Sequence, residues 1–235
     1  WIDLVFYFID HDILEKHLAN IYCEIYIYEP SADIKETLAK ERVRLTPARA
    51  MLLSVLYELV RNGEFVSEFS SEKISYFLQR FGAKDVFRLE FQPNFYGPYS
   101  GKVKHVLHYL NGSYIMGYSS KDKKPFEELG LILDAEREVI EFLNKSENES
   151  YRSIVGKTKN FLSGFYSPFS LELLSTIDFI ITEKKTNTQE AITKELENWG
   201  HRKKTQFSNP KFVKIAIDHL SLNGLTKIPI ETKTI

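Results

Sequence analysis

The chain has 235 residues, 43% of them hydrophobic, enough for one large domain or a domain with an appended module. Its formal net charge of −1 excludes a globally basic nucleic-acid binder and leaves room for a local patch. One cysteine, Cys23, excludes an internal disulfide and a thiolate zinc cluster; Asp3 and Asp10 break the opening run WIDLVFYFID, so no segment reaches the ~20 apolar residues of a membrane span. The expected location is the reducing cytoplasm. The chain does not begin with Met, and residue 1 is expected to be an internal position of a longer protein.

Residues 1–9 read as strand-like and 11–20 as a short helix, followed by IYCEIYIYEP, whose strict alternation predicts a strand ended by Pro30. Cys23 sits on the apolar face of that strand and reads as a small buried residue. Residues 31–45 are charge-rich with sparse apolar spacing and read as a connector at a domain boundary. Thr46 as N-cap, Pro47 at the first helical position and Gly63 past the end frame a core helix with the stripe Met51, Leu52, Val55, Leu56 and Leu59.

The next stretch, Lys73 to Ile115, carries the most distinctive order of signals. Ile74, Phe77, Leu78 and Phe81 mark a helix closed by Gly82. Phe87, Leu89 and Phe91 alternate as a strand stopped by Pro93, and the turn NFYGPYSG leads, with Ser100 as expected cap, into a helix with Val103, Val106, Leu107 and Leu110. SYIMGYSS is expected to pair with the Phe87 strand. From Glu127 to Glu149, eight acids face only Arg137 and Lys145, a net −6. Asp134 is expected to cap a helix turning Ala135, Val139, Ile140 and Leu143 inward and its carboxylates outward. That outer face reads either as a solvated surface or as an imitation of a phosphate chain. Further helices follow over 151–164, after SPFS, from Thr188 to Trp199, and from Pro210 with Phe212, Ile215, Ala216 and Leu220, with a basic turn HRKK before the last. The last three of these helices and a closing strand LTKIPI resemble a winged-helix module, a route to DNA through Arg202, Lys203, Lys204, Lys211 and Lys214.

No nucleophile elbow and no phosphate-cradling loop is present in the sequence, and His105 and His108, three apart on one helix, lack a third ligand at metal-site spacing. The residues themselves therefore carry no enzyme signature, no cofactor and no metal.

The segments LTPARAMLLSVLYELVRNG, KISYFLQRFG and FYGPYSGKVKHVLHYLNGSYIMG, followed by the acidic helix, resemble the C-terminal domain of DarG-type antitoxins; the K-x-x-YF-x-Q helix and YGP turn are also similar to Panacea domains. The first 30 residues are similar to the last helix and strand of a macrodomain. The resemblance implies an α+β, predominantly helical fold with a small antiparallel sheet. Residues 1–30 would be a macrodomain remnant, 31–45 a linker, 46–165 the DarG C-terminal domain and 166–235 a helical, winged-helix-like part, either separate or continuous with it. It also implies a partner, a DarT-type toxin that ADP-ribosylates single-stranded DNA, and no membrane or small-molecule partner. The hydrolase residues would lie upstream of residue 1, so the chain is expected not to be an enzyme. The alternatives are a DNA-binding regulator and a fragment of a DNA ADP-ribosyl glycohydrolase. A toxin that grips DNA presents a basic groove. On that ground Glu136, Glu138, Glu141, Glu147 and Glu149 are the candidate acidic contacts, with Tyr96 and Tyr99 as turn contacts.

Overall fold

The computed structural model describes residues 42–118, 124–186 and 188–227. The expectations for residues 1–30, for most of the 31–45 connector and for the end of LTKIPI lie outside these. All described residues belong to one compact unit, Leu38–Ile235.

Helix α1 (Pro47–Arg61) forms as its sequence predicts: the Thr46 hydroxyl accepts from Arg49 N, Pro47 opens the helix, and Gly63 follows the Asn62 cap at φ 82°. It is buried almost all round, with Tyr57 as well as the expected stripe inside, as befits a central helix. Helix α2 (Glu68–Leu78) starts at a capping box in which Ser67 and Ser70 exchange backbone and side-chain hydrogen bonds. It continues through a π turn, Gln79–Ala83, into α3 (Lys84–Phe87). Around α1 and α2 stand α4 (Val103–Leu110), α5 (Glu136–Asn144), α6 (Glu149–Leu162) and α7 (Pro168–Lys184), then α8 (Gln189–Trp199), α9 (His201–Phe207) and α10 (Pro210–Leu222). α1 packs against α2, α5 and α6, while α7 packs against α2, α8 and α10.

Among the described residues the sheet content is two small antiparallel pairs. β1 (Gln92–Asn94) pairs with β2 (Gly97–Tyr99), and β3 (Ile115–Met116) pairs with β4 (Gly130–Leu131). The expected Phe87–Phe91 strand is therefore corrected. Phe87 ends a helix, Arg88 is left-handed at φ 50°, and the Gln79 side-chain amide binds both Leu89 N (2.7 Å) and Leu89 O (3.0 Å), taking the place of a strand partner. The apolar alternation there reflects Leu89 and Phe91 packing on the core. SYIMG pairs with β4, not with that segment.

Five further expectations change. Ser100 does not cap α4: the helix starts at Val103 with Lys102 at the cap position, and it is the Ser100 backbone carbonyl that accepts from Val103 N at 2.9 Å; Asp134 lies in a 3₁₀ turn and does not cap α5. Ile140 is 47% exposed, since α5 meets α1 through the narrow stripe Ala135, Val139 and Leu143. HRKK is the first turn of helix α9, and Phe212 and Ile215 face outward on α10 while Val213, Ala216, Ile217 and Leu220 face in.

Candidate partner-binding surface

The polar residues of the K-x-x-YF-x-Q helix point inward. Lys73, 2% exposed, donates to the Pro98 carbonyl at 2.6 Å and so holds β2 against α2. Tyr76 donates to Asp178 Oδ2 of α7 at 2.7 Å, and Gln79 fastens Leu89 as above. Glu72 accepts from Ser100 N at 3.0 Å, and its other oxygen has no protein partner. Burial pushes the Glu72 carboxyl up and the Lys73 amine down, against the attraction of each for the other. Gly97, at φ 91°, is required twice over: its conformation favours glycine, and a Cβ there would sit 2.6 Å from Thr176 Oγ1.

The same layer continues across α7. Glu172, 1% exposed, takes both Arg202 and Lys203 of α9, and Asp178 takes the Arg80 guanidinium through Nε (2.5 Å) and Nη2 (3.0 Å). Burial lowers the Lys203 amine to about 8, with Glu172 opposing. Arg80 also donates to Leu225 O at 2.9 Å, tying the segment after α10 to the π turn that follows α2. The motif residues are thus buried fasteners joining α2, the β1–β2 hairpin, α7 and α9. They form no catalytic constellation, and among the described residues no three His, Cys, Asp or Glu side chains converge on a metal-sized site.

The hairpin above this layer holds the two candidate tyrosines. Tyr96 is half-buried, edge-on to Phe126 (4.8 Å) and Phe69 (6.2 Å), with the Arg202 guanidinium 5.0 Å from its ring. Tyr99 donates to Glu68 Oε1 at 3.3 Å, beside Tyr118 on the other oxygen (2.8 Å); burial and then Glu68 push its hydroxyl up to about 12. The aromatic ring that the hairpin displays is Phe95, 61% exposed at the two-residue tip between Asn94 and Gly97. Sequence reasoning passed over it, although the outer corner of a two-residue turn was the signal. Beside it a cleft of about 650 Å³ runs between the hairpin, Phe179 and Ile180 of α7, and Trp199, whose indole N–H donates to Asn94 O at 3.0 Å.

The five candidate carboxylates divide. Glu136 pairs with Arg61, and Glu138 pairs with Arg42 and accepts from the Tyr114 hydroxyl at 3.2 Å, so both are drawn toward the fold. Glu141 is exposed and pairs with its helix neighbour Arg137, at 2.8 Å; Glu147 and Glu149 are exposed at the α5–α6 junction. Leu133 (44%) and Ile140 (47%) of the same stretch are exposed, Ile140 contrary to the helical reading that turned it inward. Of the C-terminal cations, Arg202 and Lys203 are held by Glu172 and Lys214 lies 3.5 Å from Asp218, while Lys204 and Lys211 are exposed.

No family model matches the chain. Over 205 residues it is 30% identical to a DNA ADP-ribosyl glycohydrolase of Thermus aquaticus, covering 86% of this chain and 54% of that protein. Proteins of the same name from Mycobacterium bovis and Mycobacterium tuberculosis are 20% identical over 233 residues, covering 92% of this chain and 65% of theirs. The chain is therefore homologous to DNA ADP-ribosyl glycohydrolases, the DarG proteins, over most of its length. It spans only 54% to 65% of the curated relatives it matches. No helix among the described residues is long and apolar enough to cross a membrane.

Proposed function

We propose that this chain is the toxin-neutralising part of a DarG-type antitoxin, a non-enzymatic domain that captures a DarT-type DNA ADP-ribosyltransferase by occupying its single-stranded DNA site. Homology supports the family context. The observation that carries the mode of binding is the stretch from Leu133 through α5 into α6, along which Glu141, Glu147 and Glu149 are exposed and so are Leu133, before α5, and Ile140, next to Glu141 in the chain. Carboxylates alone fit a solvated helix face, but exposed aliphatic side chains among them fit a protein partner, with the acids matching a basic groove and the aliphatics supplying desolvated anchors. Chemistry by this chain is not part of the proposal: of its perturbed ionisable groups, Glu72 and Lys73 hold backbone groups of the β2 turn, and Tyr76 and Lys203 are bound to Asp178 and Glu172.

The test is co-expression with the toxin, recovery of the complex and competition by single-stranded DNA. Triple charge reversal of Glu141, Glu147 and Glu149 and, separately, Ile140→Asp are each expected to weaken the complex at least about tenfold, the effect of losing an anchor or a complementary charge set. A complex that neither variant disturbs, or that DNA does not displace, would sink the surface. Titration with ADP-ribose is expected to give no heat.

A further inference from the structure

Helix α4 is cleanly divided. At 100° per residue, Val103, Val106, Leu107 and Leu110 cover one arc facing the core, and Lys104, His108, His105, Tyr109 and Lys102 fill the opposite arc in that order, all five exposed. No acidic residue occurs in the sequence between Glu90 and Asp122, so this face carries cations without internal compensation. It is extended by α1, whose Arg49 guanidinium lies 3.8 Å from the centroid of the Tyr109 ring and donates to Arg44 O at 2.7 Å; Tyr109 is 53% exposed. Among the described residues none of Arg44, Arg49, Lys102 or Lys104 has a carboxylate within ion-pair distance. Glu138, which approaches from α5, is engaged by Arg42 and Tyr114.

We infer that this face docks single-stranded DNA, with Tyr109 stacking on a base beside the Arg49 guanidinium and Lys102, Lys104 and Arg49 meeting phosphates. Charge complementarity points to a polyanion. The exposed ring sandwiched among cations selects a single strand, because a duplex offers no free base face and stacking on an aromatic is how unpaired strands are held. The outward arc has no aliphatic side chain, unlike a protein-docking or membrane-inserting helix. The choice of DNA over RNA rests on the DNA context of the function proposed above. The cations assigned to DNA from sequence lie on α9 and α10, where Arg202 and Lys203 are committed to Glu172; the structure transfers that role to α4. An eight-residue helix is about 12 Å long, so about three phosphates are within reach and binding is weak and sequence-tolerant.

The experiment is anisotropy of a labelled oligothymidylate of about twelve nucleotides, a length within the range of single-strand sites, titrated with this chain between about 50 and 200 mM salt. A log–log salt slope near −2 is expected, about 0.7 per phosphate contacted. Lys102→Glu with Lys104→Glu is expected to lower affinity at least about tenfold, and Tyr109→Ala about 5- to 150-fold, the range of one lost base stack. Lys204→Glu with Lys211→Glu should leave binding unchanged, and all variants should melt like the parent since the residues are exposed. No binding at the lowest salt, or loss through the Lys204 and Lys211 changes instead, overturns the inference. So does equal competition by polyphosphate with a neutral Tyr109→Ala, which would mark a general polyanion surface, and so does equally tight binding of the matching RNA. Toxin capture is read in a separate assay with α5–α6 variants, so either proposal can fail alone.

Discussion

Glu72, Glu172 and Asp178 on one side and Glu141, Glu147 and Glu149 on the other are the same functional group in opposite circumstances. The first three are at most 1% exposed and each holds a backbone amide, a cation or a hydroxyl from another element. The second three stand in solvent along α5 and α6. Removing one member of a buried pair leaves an uncompensated charge and costs far more than removing a solvated one. The acids between α2 and α7 are therefore read as fasteners and those of α5–α6 as a display, and mutagenesis can break or sharpen that division.

The largest expected effect is at Asp178→Ala, which strips Arg80 and the Tyr76 hydroxyl of their partner. A loss of about 3–5 kcal/mol in urea unfolding is expected for a broken buried pair, and a loss near zero would remove the layer from the account of the fold. Gly97→Ala comes next, at about 2–4 kcal/mol, combining overpacking against Thr176 with a left-handed backbone. Adding Thr176→Ala should recover the packing part and leave the backbone part.

Protonation separates the classes more finely. The folded pKa of Lys203, about 8, lies below its ordinary 10.5, so the unfolded chain binds the proton more tightly. Its contribution is fully present above the unfolded value and is lost as pH falls through 8; stability rises with pH in between. Lys73, also lowered, adds in the same direction. Lys203→Met is expected to flatten the rise of melting temperature between pH 8 and 10 relative to the parent, and an unchanged slope would contradict the burial argument. The smallest effect compares two acids on one helix. Glu138→Gln should cost about 1.5 kcal/mol, the low end for a lost charged hydrogen bond, whereas Glu141→Gln should stay within about 0.5 kcal/mol in the same thermal melts.

Much of the helical framework was legible in the residues. Thr46–Pro47, Thr188, Pro210 and Gly224 mark helix ends because caps and breakers act within one turn, and α1 follows its apolar stripe. The Phe87–Phe91 segment misled because alternating burial is common to strands and to extended loops packed on a core; the difference lay in Gln79, ten residues away. Ile140 misled because the width of a buried stripe depends on what packs against the helix. The acidic surface was legible as composition only: which glutamates turn back to Arg42 and Arg61 is a long-range matter.

By itself, then, the sequence determined the helical class, most helix starts, the order of motifs that points to the DarG proteins, and the net −6 of the acidic stretch. Periodicity, capping and charge count are local and survive without a fold. Only the tertiary structure decided that Lys73, Tyr76 and Gln79 fasten other segments, that Arg202 and Lys203 are committed to Glu172, and that the exposed cationic face with an aromatic ring belongs to α4. Burial and pairing of a charge depend on residues distant in the chain, and no local pattern encodes which of them arrive.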